Sequence, residues 1–122
     1  MDNKTYLEKA MITNDGKSLL RLDDVILKAP LKAQMIHASL GLTGEAGEVA
    51  DLMKKHIFHE KELDMEHLKK ELGDVCWYIA LMCDAIGTDF EEIMQMNIDK
   101  LSKRYTEGFN VYEANHRKEG DI

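Results

Sequence analysis

Residues 68–86 read Leu68-Lys69-Lys70-Glu71-Leu72-Gly73-Asp74-Val75-Cys76-Trp77-Tyr78-Ile79-Ala80-Leu81-Met82-Cys83-Asp84-Ala85-Ile86. Within this stretch Leu68, Leu72, Val75, Ile79, Met82 and Ile86 recur at alternating intervals of four and three. That spacing lines one side of an α-helix and demands a facing helix. The facing stripe lies upstream, in Met35, Leu42, Ala46, Val49, Met53 and Ile57. Pro30 suits the first position of that second long helix, which should break between His59 and Asp64. The 64–86 helix stops at Gly87. Thr88-x-x-Glu91 then offers a capping box for a helix whose apolar side is Phe90, Met94, Ile98, Leu101 and Tyr105. Toward the N-terminus, Thr5-x-x-Glu8 opens a short helix that ends near Asn14-Asp15-Gly16. Residues 18–29 carry no decisive pattern. From Glu107 the chain is polar and glycine-punctuated, with Phe109, Val111 and Tyr112 able to dock it on a neighbour. The expectation is an all-α, four-to-five-helix bundle in a single domain over 1–122, with its core at about 31–109 and a polar tail over 110–122.

A chain of 122 residues has room for one hydrophobic core. Sixteen Lys and Arg against 23 Asp and Glu leave a formal net charge of −7, which argues against stable binding to nucleic acid or to an anionic membrane. Apolar residues at 44% exclude disorder, and no window approaches ~18 uninterrupted apolar residues. The stretch Met1–Tyr6 lacks the apolar core of a signal peptide and no lipidation signal stands at the C-terminus, so the expected compartment is the cytoplasm. Cys76 and Cys83, seven apart on one helix, lie ~10 Å apart along its axis and are out of disulfide reach. Both are expected as free thiols, small and buried.

Two segments share one pattern: Glu45-Ala46-Gly47-Glu48-Val49 and Glu71-Leu72-Gly73-Asp74-Val75. In each, acids three apart sit on one helical face, about 100° round from the apolar stripe. If the two stripes pack together, four carboxylates meet along one edge, and such crowding requires a compensating cation. Oxygen-only ligation suits Mg²⁺ or Mn²⁺ and argues against zinc. His56-x-x-His59 has metal-like spacing but no third ligand. Gly41, Gly44, Gly47 and Gly73 fall inside helical patterns, each at a cost of ~1 kcal/mol relative to Ala. A close helix contact or backbone room beside a ligand would offset that cost, and a loop at 41–44 is the other reading.

The blocks Gly41–Val49, Glu71–Tyr78, and Asn97-x-x-Lys100-Leu101-x-x-Arg104-Tyr105 with Gly108-Phe109 resemble the MazG-like nucleotide pyrophosphohydrolases. The 22 residues between Glu48 and Glu71 fall inside the range of that family's spacer. The resemblance implies an all-α fold related to dimeric dUTPases and phosphoribosyl-ATP pyrophosphatase. It also implies cleavage of a nucleoside triphosphate between the α- and β-phosphates, releasing a monophosphate and pyrophosphate.

On this reading Glu45, Glu48, Glu71 and Asp74 are metal ligands, with Glu48 and Glu71 catalytic and Glu48 preferred for activating a water. Asn97, Lys100 and Arg104 form a polar stripe suited to phosphate oxygens, assisted by Lys55 or Lys54. Gln34, His37, Trp77 and Tyr78 are candidates for contacting the base, although rings beside a core stripe more often serve packing. Leu40, Leu52, Phe58, Trp77, Leu81 and Met96 point away from the main stripes, so a homodimer or homotetramer is expected. A di-iron carboxylate bundle needs Glu-x-x-His, which neither acid pair offers. The remaining alternative is a non-catalytic helical interaction or regulatory protein that keeps the fold and the metal site.

Overall fold

The computed structural model describes residues 1–105 and 108–117. Residues 106–107 and the end of the expected tail, 118–122, lie outside the described residues. Among the described residues the fold is all-helical: α1 (Asn3–Met11), α2 (Ser18–Lys28), α3 (Pro30–Phe58), α4 (Met65–Ile86), α5 (Phe90–Arg104) and α6 (Val111–Asn115). Among the described residues no helix is long and apolar enough to cross a membrane.

The frame is an antiparallel hairpin of α3 and α4, with α2 laid against α3. Two cross-links set its register. Near the start of α3, Gln34 Nε2 donates to the Leu81 carbonyl at 3.1 Å and to Asp84 Oδ2 at 2.8 Å. At mid-length the Tyr78 ring lies directly on Gly41, where an added Cβ would stand 2.1 Å from Tyr78 Cε1. Gln34 is thereby committed to the partner helix rather than to a base. At the far end the chain reverses through residues 59–64, with Glu60 in the left-handed region at φ 53°. His56 Nδ1 donates to the Lys61 carbonyl at 2.8 Å, and the Lys61 amide donates to the Lys55 carbonyl at 3.2 Å, so this turn is fastened to the end of α3.

The glycines do not break α3, which is continuous through 41–47. Only Gly41 serves a close helix approach; Gly44, Gly47 and Gly73 face open space.

Several boundaries shift by a few residues from expectation. The N-cap of α1 is Asp2, which accepts from the Thr5 amide at 2.8 Å, instead of Thr5 itself. The N-cap of α5 is Asp89, bonded to the Glu92 amide at 2.9 Å, while the Thr88 hydroxyl donates to the Glu92 carboxylate. Asp and Thr are both good caps, so adjacent candidates compete. Asp64 and Gly87 delimit α4 as expected, Gly87 with a left-handed φ of 73°. The ambiguous stretch 18–29 is mostly α2, and residues 111–115 of the expected tail form the short α6, capped by Asn110.

The core is small. Among the described residues only Ala38, Cys83 and Ala85 are buried. Both cysteines are free, but Cys76 is exposed and so is not the buried side chain expected. Phe58 is 77% exposed, Trp77 56% and Ile98 57%. The α5 helix presents its apolar side without packing extensively on α3 or α4.

Candidate metal centre

The antiparallel register of α3 and α4 brings Glu45 opposite Glu71 and Asp74. One carboxylate oxygen from each lies within 4.8 Å of the others. Glu45 and Glu71 are half-buried and Asp74 is exposed. Burial pushes the Glu45 carboxyl above the usual range, helped by a hydrogen bond with Glu71 and by the negative charges of Asp74, Glu71 and Glu48. A site that raises the proton affinity of a carboxylate by crowding negative charge around it equally favours a bound cation. The donor set is oxygen only, which fits Mg²⁺ or Mn²⁺.

Glu48 stands outside that set of three. Its charge is felt at Glu45 and also at Lys55, and along α3 it stands between the two. Glu48, Asp51, Lys55 and His67 line a hollow of about 180 Å³ at the turn end of the hairpin. Lys55 Nζ lies 2.7 Å from Asp51 Oδ2, and Lys54 Nζ lies 3.4 Å from Asp51 Oδ1. The hydrogen bond to Asp51 holds the Lys55 ammonium more firmly charged, followed by the charges of Asp51 and Glu48. The same contact with Lys55 keeps the Asp51 carboxyl below its usual range. Of the two lysines, Lys55 lines the hollow beside Glu48, whereas Lys54 is exposed.

The other sequence candidates lie elsewhere. His37 and Tyr78 meet edge to face with ring centroids 5.9 Å apart, and Trp77 meets Tyr78 the same way at 5.0 Å. Tyr78 is half-buried over Gly41, whereas His37 and Trp77 are exposed. Asn97, Lys100 and Arg104 ride on α5, and the Arg104 guanidinium stands 5.8 Å from the centroid of the Tyr105 ring. Among the described residues α5 does not pack extensively on α3 or α4. The His56 ring is engaged with the Lys61 carbonyl, which takes one of its nitrogens away from any metal.

Two residues of the site were missed from sequence. Asp51 organises both lysines, and His67 Nε2 lies 2.9 Å from Glu71 Oε1. These contacts span three or four residues along a helix, so the i,i+3 and i,i+4 rules could have found them.

A family model described as the MazG nucleotide pyrophosphohydrolase domain matches residues 22–109, taking in both acid pairs and α5. The Gene 37 protein of Mycobacterium phage L5 is 35% identical over 77 residues, covering 59% of this chain and 67% of that protein. The uncharacterized protein YvdC of Bacillus subtilis (strain 168) is 34% identical over 73 residues, covering 52% of this chain and 69% of its own length. No solved structure gives a significant match.

Proposed function

Since the chain belongs to the MazG nucleotide pyrophosphohydrolase family, we propose that it hydrolyses a nucleoside or deoxynucleoside triphosphate between the α- and β-phosphates. The products are the monophosphate and pyrophosphate, and the role is control or house-cleaning of the nucleotide pool in the cytoplasm. The observation that carries this reading is the convergence of Glu45, Glu71 and Asp74 from two helices onto one point.

Four carboxylates alone repel a triphosphate, so the acids bind substrate only with a cation between them. Glu45, Glu71 and Asp74 would hold Mg²⁺, with Mn²⁺ as a substitute, and the ion would supply neutralisation of phosphate charge for in-line attack. Glu48, adjacent to the three and not among them, orients and deprotonates the attacking water. Lys55 lies on the Glu48 side and grips phosphate oxygens beyond the metal, held in place until then by Asp51. Asn97, Lys100 and Arg104 extend that grip, while His37 and Tyr78 contact the base.

The working form is a homodimer or homotetramer. Among the described residues so many large apolar side chains stand exposed around three buried ones that a second copy is the natural cover for α5 and for the outer faces of α3 and α4. A panel of canonical and modified nucleoside triphosphates with Mg²⁺, scored for pyrophosphate and monophosphate, tests the activity. Turnover of at least one with equimolar pyrophosphate is expected. No turnover of any would favour a non-catalytic interaction protein built on the same fold.

A further inference from the structure

We propose that His67 is a positioning residue that fixes the Glu71 carboxylate for the metal, an inference that rests on the metal reading above. His67 Nε2 and Glu71 Oε1 are 2.9 Å apart. An ionised carboxylate has no proton to give, so the ring nitrogen donates. That bond ties down a carboxylate of which one oxygen lies within 4.8 Å of the ligand atoms of Glu45 and Asp74.

The local fold explains why the ring is there. Helical side chains lean toward the N-terminus, so Glu71 reaches back one turn toward residue 67. Residue 67 is itself fixed, because its backbone amide donates to the N-cap Asp64 Oδ1 at 3.0 Å. Its side chain is 50% exposed while that of Glu71 is 15% exposed. The histidine therefore buries little of its own surface; what it does is hold a mostly buried acid in one orientation. Carboxylates and histidines that ligate metals are regularly oriented by such outer hydrogen bonds, and losing one typically costs about 10–100-fold in metal affinity. The ring also lines the hollow shared with Glu48 and Lys55, so it stands on the side where the proposed water-activating and phosphate-gripping groups sit.

The test measures Mn²⁺ uptake by electron paramagnetic resonance on the full chain, with thermal melts in parallel. Wild type should bind Mn²⁺, and His67→Ala should weaken that binding about tenfold or more. The substitution leaves the backbone amide on Asp64, so the melting temperature should stay close to that of wild type. His67→Gln, which keeps a side-chain N–H one turn from Glu71, should recover most of the lost affinity. Wild-type Mn²⁺ affinity in His67→Ala would overturn the positioning role while leaving the metal reading intact. Equal weakening in His67→Gln and His67→Ala would also overturn it, and a wild-type chain that takes up no Mn²⁺ would overturn both.

Discussion

The α3–α4 hairpin and the α5 helix carry equally clear apolar stripes, yet among the described residues the hairpin's is packed extensively and that of α5 is not. In the hairpin, Gln34 is bonded across to Leu81 and Asp84, Tyr78 sits on Gly41, and three acids converge. In α5, Met94 and Ile98 are 55% and 57% exposed, and among the described residues the helix does not pack extensively on α3 or α4. The difference teaches where the chemistry is assembled. One chain is enough to bring the three proposed metal ligands together, whereas the α5 stripe proposed to grip phosphate stands on a helix whose apolar side is largely exposed.

The comparison breaks most sharply if the hairpin is not the chemical half. Glu71→Gln and Glu48→Gln should each lower kcat on the order of a hundredfold or more, with helical content by circular dichroism unchanged. Activity within a few-fold of wild type would remove the chemistry from α3 and α4. The α5 half is tested by Ile98→Asp. If a second copy buries that side chain, its loss removes ~1.5–3 kcal/mol of apolar burial, and sedimentation equilibrium should show the assembly shifting toward a 14.0 kDa species. Activity should fall with the assembly. A fully active wild-type monomer at every concentration would mean that α5 needs no cover.

Within the hairpin, two glycines sharpen the contrast between a met and an unmet face. Gly41→Ala forces the Tyr78 ring aside and should cost about 1–3 kcal/mol in urea denaturation. Gly44→Ala enters open space within the chain and should instead stabilise it by up to about 1 kcal/mol through helix propensity. A loss of stability at Gly44 would show that another surface approaches α3 there.

The smallest expected effect separates two carboxylates of opposite sign. Asp51 has its folded pKa depressed by Lys55. Its contribution is therefore present at neutral pH and lost as pH falls through its lowered pKa. Glu45 has its folded pKa raised, first by burial and then by the neighbouring acids. Its charge therefore opposes folding above that pKa, and the penalty fades as pH falls through it. In metal-free buffer, Glu45→Gln should raise the melting temperature at neutral pH and lose that advantage on acidification. Asp51→Asn should lower the melting temperature at neutral pH, with the deficit shrinking on acidification. Parallel pH profiles for the two variants would contradict the opposed electrostatics.

The hairpin was legible in the sequence because its apolar period runs unbroken through Leu68–Ile86 and is answered by Met35–Ile57. Long amphipathic periods survive small errors at either end. The α2 helix was not legible because it is short and its N-cap, Lys17, makes no side-chain cap bond. The repeated acid pattern placed Glu45, Glu71 and Asp74 together, since a shared face and a facing stripe suffice for that. It could not separate Glu48 from the others, because the choice depends on the register at which the two helices cross, which Tyr78 and Gly41 set. The contacts of Asp51 and His67 were local enough to read. The cover of α5 was not, because a stripe states that something packs on it without stating what.

The most direct measurement is a ³¹P nuclear magnetic resonance time course of a nucleoside triphosphate with the protein and Mg²⁺, run with and without chelator. Expected is the simultaneous growth of monophosphate and pyrophosphate resonances, abolished when the ion is removed. Orthophosphate and diphosphate as first products, or turnover indifferent to chelator, would contradict a metal-assisted cleavage between the α- and β-phosphates by the acids of α3 and α4.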